Sequence, residues 1–357
     1  MRGAESAGRV HPEPAHAYRN PYQRDRDRIV HSSAFRRLAH KTQVFTGAMG
    51  DYHRSRLTHT LEVASIARTV GRTLRLNEDL IEALALAHDI GHPPFGHAGE
   101  DVLDQCLAAH GGFNHNRQAL RIVELLETRY PDFPGLNLSR EVLAGQQSRT
   151  DTSRGAVQEP GRLLEAQVVD AADSLAYDAH DADDAVELGL LGLEDLNASA
   201  LWRTAAERAR RRYAALDDQQ FRRAAVHEVI DMLVGDLLIA SQTRLAAANL
   251  ANAAAALALR EPLVAPTPEM SAQKHELERL LFERVYRHPT VLAQRAVAGE
   301  ALRDMFERVV AEPHSLPPDF APIAAADGVP RAAADYLAGM TDRYALEEYD
   351  RLNRAAP

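Results

Sequence analysis

Three histidines and two carboxylates fall within thirteen residues, His88-Asp89-Ile90-Gly91-His92-Pro93-Pro94-Phe95-Gly96-His97-Ala98-Gly99-Glu100. The apolar run Ala83 to Ala87 leads straight into them. It reads as a buried helix stopped by Gly91 and the Pro93-Pro94 pair, since proline cannot extend an α-helical ladder. His88 and Asp89 are therefore expected in the last turn of a core helix, with His92 one turn on. A carboxylate buried beside an imidazole is costly unless it is paired or ligated. Neutral imidazole and carboxylate together suit Mn, Fe, Co, Ni or Zn. A lone core histidine is ordinarily satisfied by its neighbours, but that reading does not cover a cluster of this density.

The elements that must position this cluster read as helices. A stretch from 22 to 42 has its apolar face at Ile29, Ala34, Phe35, Leu38 and Ala39 and is expected as one helix. A second starts near Ser55 and carries His59; a third, from about Glu78, delivers the central motif. Further helices are expected over 101–109, from Phe113 onward and from Ser139, whereas 146–161 reads as a mobile loop, either a lid or plain surface. A long helix over 165–191 repeats Asp173, Tyr177 and Asp181 at four-residue intervals, which places them on one face. Asp170, Asp178, Asp183 and Asp184 on the same helix read by default as solvated surface. Helical patterns continue over 199–260, 275–312 (broken at Pro289) and 330–353. Strand signals are scarce. The expectation is an all-α fold: a flexible tail over 1–17, a core over 18–190, and a helical part over 191–357 packed on it as a single structural unit.

A mononuclear metal site needs three or four protein ligands with positions left open. His59, His88 and Asp89 supply three, and a carboxylate of the later helix can supply the fourth. The single Cys106 excludes an internal disulfide and a cysteine-ligated zinc site, and fits a reducing cytoplasm. No stretch approaches membrane-spanning length, and no charged, apolar leader opens the chain. The net charge of −10 speaks against non-specific coating of nucleic acid. Between Tyr18 and Thr60, however, nine Arg or Lys face three Asp, a local excess that a polyanionic ligand would explain.

The order His59 … His88-Asp89 … Asp173 resembles the HD superfamily of metal-dependent phosphohydrolases. The surrounding text is similar to its dGTP triphosphohydrolase family, shorter bacterial branch. The segments that carry the likeness are Arg24 to Ile29, Ser33 to Leu38, Lys41 to Phe45, Arg56 to Val63 and His88 to Glu100, then Gly112 to Asn116, Asp173 to Asp181 and Ala338 to Tyr344. The resemblance implies an HD-domain helical fold with a helical C-terminal extension. It implies one divalent metal, Mn, Fe, Co or Mg, on His59, His88, Asp89 and Asp173. His97 and Glu100 match a catalytic dyad, His92 and His115 match cationic imidazoles at the phosphates, and Arg56 matches a phosphate-binding arginine. Gln43, Tyr177 and Asp181 match the group around the sugar 3′-hydroxyl, with Tyr177 where a 2′-hydroxyl would clash.

The implied reaction turns a dNTP into deoxynucleoside and inorganic triphosphate. The alternative is an HD phosphohydrolase of another nucleotide, a deoxynucleoside monophosphate or an alarmone; a non-enzymatic nucleotide sensor is a third reading. The resemblance further implies a homo-tetramer or homo-hexamer with a dNTP or single-stranded DNA effector. One departure stands out: many relatives carry a phosphate-contacting Lys where this chain has Gln146-Gln147-Ser148-Arg149, so Arg149 is the candidate substitute.

Overall fold

Capping residues set most helix starts. In the computed structural model, which describes residues 6–43, 54–152 and 161–354, α1 (Pro21–Val30) opens with a capping box between Asn20 and Gln23 and with proline at its first position. The single helix expected over 22–42 is divided. Ser32 caps a new start by accepting from Phe35 N at 3.1 Å, giving α2 (Ser33–Arg37) and a 3₁₀ turn, Leu38–His40. The apolar period runs through the break because both pieces bury the same side.

The remaining helices are α3 (Arg56–Thr73), α4 (Glu78–Ala87), α5 (Gly96–Cys106), α6 (His115–Arg121), α7 (Arg140–Thr152) and α8 (Leu164–Glu187), followed by α9 (Ala200–Arg212), α10 (Asp218–Ala248) and α11 (Ala253–Leu257). Then come α12 (Pro268–Leu281), α13 (Pro289–Ala311), α14 (Ala321–Asp327), α15 (Val329–Ala338) and α16 (Asp342–Arg354). No strand occurs among the described residues, so the fold is all-α as expected; two isolated bridges, Arg9 with Ser139 and Thr42 with Ser55, are the only extended pairings among them. The loop expected over 146–161 is helical up to Thr152, as part of α7; 153–160 lie outside the described residues.

The chain forms two compact units whose segments alternate in sequence. Among the described residues, the first gathers Leu61–Ala85 and the part of Ala156–Leu292 from 161 on; the second gathers the described residues of Gly3–Thr60, Leu86–Gly155 and Ala293–Pro357. In the first, α8, α9, α10 and α12 pack on one another. Small residues (Ala205, Ala206 and Ala209 on α9) allow close approach there. Asp178, expected at the surface, is 1 % exposed and lies 2.8 Å from Lys274 Nζ. Burial raises its carboxyl to about 6 against the pull of that lysine.

In the second unit the core joins Phe95, Leu103 and Phe113 to Leu302, Phe306 and Leu337. The segment expected to be loose is tied from Ser6 onward. Arg9 pairs with Asp25, and Glu13 accepts from Arg28 at 2.7 Å. Gly8 O accepts from Arg140 N at 2.9 Å.

Candidate metal centre and histidine array

Helix α4 ends at Ala87, so His88 and Asp89 fall in the turn just beyond it. That turn is held in several ways. His92 N donates to Asp89 O at 3.2 Å, and Lys41 Nζ donates to both His92 O and Ala338 O. Gly91 is required by close approach, because a Cβ there would sit 2.0 Å from His115 O and 2.4 Å from Ala119 N, both backbone atoms of α6. Phe95 adopts the left-handed region at φ +64° and is secured by donating from its N to Asp342 Oδ1 at 3.0 Å. Asp342 also accepts from Thr42 N at 2.9 Å, which gives the C-terminal Ala338–Tyr344 motif a structural task.

The turn brings His88 and Asp89 up to His59, on the first turn of α3. One donor atom from each of these three residues lies within 4.8 Å of the others, and all three side chains are buried. The His59 and His88 rings stand 5.7 Å apart. Two imidazoles and a carboxylate at such separations fit a divalent cation.

Asp89 also receives Arg56 Nη1 at 2.8 Å and lies 2.8 Å from His92 Nδ1. Burial pushes this carboxyl up, but Arg56, His92 and His88 outweigh it and hold it well below the usual carboxylate range. Arg56, expected at substrate phosphates, is 1 % exposed and spans Asp89 and Gln43 O, the latter at 3.2 Å. Gln43 is buried beside it, and its Oε1 has no hydrogen-bond partner among the described residues.

A second group adjoins the first. The His92 and His115 rings stack at 3.9 Å with 19° between their planes, and His97 stands 5.6 Å from His92. Glu100 lies 3.4 Å from His97 Nδ1, and it accepts from His115 Nδ1 and His115 N at 2.8 Å each. Burial raises the Glu100 carboxyl, yet the two histidines hold it well below the ordinary range, so it is ionised. Burial and the neighbouring Arg56 push the His92 imidazole well below its ordinary value. Its Nε2 is buried without a hydrogen-bond partner among the described residues. Half of the His97 side chain is exposed. Arg149 Nε donates to Asn116 Oδ1 at 3.2 Å, next to His115.

Asp173, Tyr177 and Asp181 lie on α8, in the first unit. Sequence reasoning missed Tyr286 there. Its hydroxyl donates to Asp181, and its ring stands 6.2 Å from Tyr177. Burial, with Asp184 and Asp178 nearby, pushes the Asp181 carboxyl up to about 8 against the bonds from Tyr286 and Tyr177. An isolated tyrosine in a short π-helical turn, Phe282–Tyr286, carries no pattern that could have flagged it.

The buried His-Asp centre within an all-helical fold defines an HD-domain phosphohydrolase, a metal-dependent hydrolase; residues 56–178 match the HD domain and 264–351 the phosphohydrolase-associated domain. The chain belongs to the deoxyguanosinetriphosphate triphosphohydrolase-like family. It is similar to proteins of that name from Geobacter sulfurreducens (43% identical, 98% of this chain and 93% of the relative) and Thiobacillus denitrificans (42%, 98% and 95%). The relative from Parvibaculum lavamentivorans is 44% identical over 98% of this chain and 94% of its own length.

Proposed function

We propose that the chain hydrolyses deoxynucleoside triphosphates to deoxynucleoside and inorganic triphosphate. The observation that carries this reading is the continuity of the two groups through Asp89: its carboxylate joins the His59–His88 cluster and contacts His92, which stacks on His115. A divalent cation bound there polarises a phosphoryl oxygen or lowers the pKa of a water. In the proposed reaction a water oxygen bonds to the α-phosphorus, the bond from that phosphorus to the 5′-oxygen breaks, and the 5′-oxygen leaves protonated.

His97 is the proton-transfer group in this reading, accessible to solvent and beside ionised Glu100. Arg56 and Arg149 are the donors offered to phosphate oxygens, and a phosphate beside His92 would push its ring back toward the cationic form, whose Nε2 then donates as well. Gln43, Tyr177 and Asp181 hold the sugar, and Asp173 is the fourth metal ligand; these roles come from the sequence resemblance. The same source supports a homo-tetramer or homo-hexamer answering to a dNTP or single-stranded DNA, and the single Cys106 fits a reducing cytoplasm. No helix among the described residues is long and apolar enough to cross a membrane.

Product analysis is the test. Metal-loaded protein incubated with each dNTP should release free triphosphate, seen by phosphorus NMR. Release of orthophosphate or pyrophosphate, or turnover confined to a deoxynucleoside monophosphate or guanosine tetraphosphate, would overturn the reading.

A further inference from the structure

Behind the metal-binding turn, within the second unit, lies a cleft of about 420 Å³ that none of the proposed chemistry uses. Its walls include Arg37, Lys41, Gln118, Glu127, Asp335 and Tyr336. Gln118 is 2 % exposed, and neither its amide nitrogen nor its amide oxygen has a hydrogen-bond partner among the described residues. A buried carboxamide with both ends unsatisfied is disfavoured unless something supplies an acceptor and a donor side by side.

The lining carries no excess of cations. Arg37 and Lys41, the latter lowered to about 7 by burial, line the cleft with Glu127 and Asp335. Glu127 already accepts from Ala34 N at 2.7 Å, and Asp335 from Arg121 Nη2 at 2.6 Å. A lining without excess positive charge favours a neutral occupant over a polyanion. Tyr336, edge-on to Phe320 at 5.4 Å, and the apolar side chains of Ile90 and Met340 supply flat, greasy wall.

We infer that this cleft is a second ligand site, taking an uncharged nucleobase or nucleoside whose amide-like edge pairs with Gln118. The volume falls in the range of small-molecule pockets, and a heteroaromatic ring with adjacent donor and acceptor meets both the carboxamide and the aromatic wall. Lys41 links the cleft to the metal-binding turn, since its Nζ bonds His92 O from the cleft side. If the proposed reaction holds, its deoxynucleoside product belongs to this ligand class, and its accumulation would be felt at His92; that coupling rests on the proposed function, whereas binding does not.

Equilibrium dialysis of the metal-loaded, full-length protein against labelled 2′-deoxyguanosine, 2′-deoxyadenosine and thymidine tests it. Two variants accompany the wild type: Gln118→Leu, near in volume and without polar atoms, and Met340→Trp, which fills the cleft. Circular dichroism confirms that each is folded, and either suffices if the other is not. The wild type should hold one nucleoside per chain that both variants bind about tenfold or more weakly, as loss of a hydrogen-bonded pair predicts. KM and kcat for dNTP hydrolysis measured at low product should be unchanged in Gln118→Leu. Equal stoichiometry and affinity in all three proteins would overturn the inference, as would no nucleoside bound to any. If no dNTP is hydrolysed yet the variant-sensitive nucleoside still binds, the proposed reaction fails and the site stands.

Discussion

Glu100 accepts from the ring Nδ1 and the backbone N–H of His115 at 2.8 Å each, although fifteen residues separate the two. The carboxylate thus orients His115 as firmly as it serves its i+3 neighbour His97, 3.4 Å away. Glu100→Gln keeps the volume but gives up a charge and an acceptor. We expect kcat to fall by roughly 10²-fold or more, the scale of general acid–base assistance. Because Glu100 is held below the ordinary carboxylate range, its ionised form contributes stability that is complete above about pH 4.3 and lost as pH falls below it. The difference in thermal midpoint between wild type and Glu100→Gln should therefore shrink on acidification.

Removing a proposed metal ligand should have different consequences at Asp89 and at His59. Asp89 is also the partner of Arg56, a guanidinium 1 % exposed. Asp89→Ala leaves that charge buried, at a cost of about 3–5 kcal/mol. His59→Ala forfeits metal affinity without stranding a charge. Thermal melts in excess chelator, where metal binding no longer contributes, should show the larger loss in Asp89→Ala.

Gly91→Ala should destabilise the fold by about 1–3 kcal/mol and lower kcat, since an added methyl would press on the backbone of α6 where it carries His115. Gly235, inside α10 with nothing within 4 Å of where a Cβ would stand, is the control: Gly235→Ala should be neutral or stabilising by up to about 1 kcal/mol. Denaturant midpoints read both.

Asp181 gives an opposite pH signature to Glu100. Its carboxyl is raised to about 8, so between about pH 4 and pH 8 the unfolded chain releases a proton that the folded chain keeps. Stability falls as pH rises through that window. Asp181→Asn removes the titration, and its thermal midpoint should decline less than that of wild type between pH 5 and pH 8.

The cluster of His59, His88 and Asp89 was legible in the sequence because its ingredients are dense, although α4 ends at Ala87, short of the Gly91 and the two prolines expected to stop it. The all-helical class was legible from periodicity. Periodicity says which face of a helix is buried but not what covers it. Asp178 therefore read as surface, and the alternation of segments between two compact units left no mark in the order of elements. The Glu100–His115 bridge depends on the path of the 107–114 loop, and the lowering of His92 depends on its burial and on Arg56 arriving from another helix. The break after Val30 was written plainly enough, in a serine three residues before Phe35, but an apolar stripe running through it concealed it.

Hydrolysis is proposed to depend on a cation held by His59, His88 and Asp89. Metal content per chain, measured by mass spectrometry on wild type and on His88→Ala alongside dNTP turnover, tests it most directly. We expect about one divalent ion per chain in wild type and none in the variant, with turnover lost in step and wild-type turnover restored when metal is returned after chelation. A His88→Ala protein that kept its metal, or a fully chelated wild type that still turned over, would contradict it.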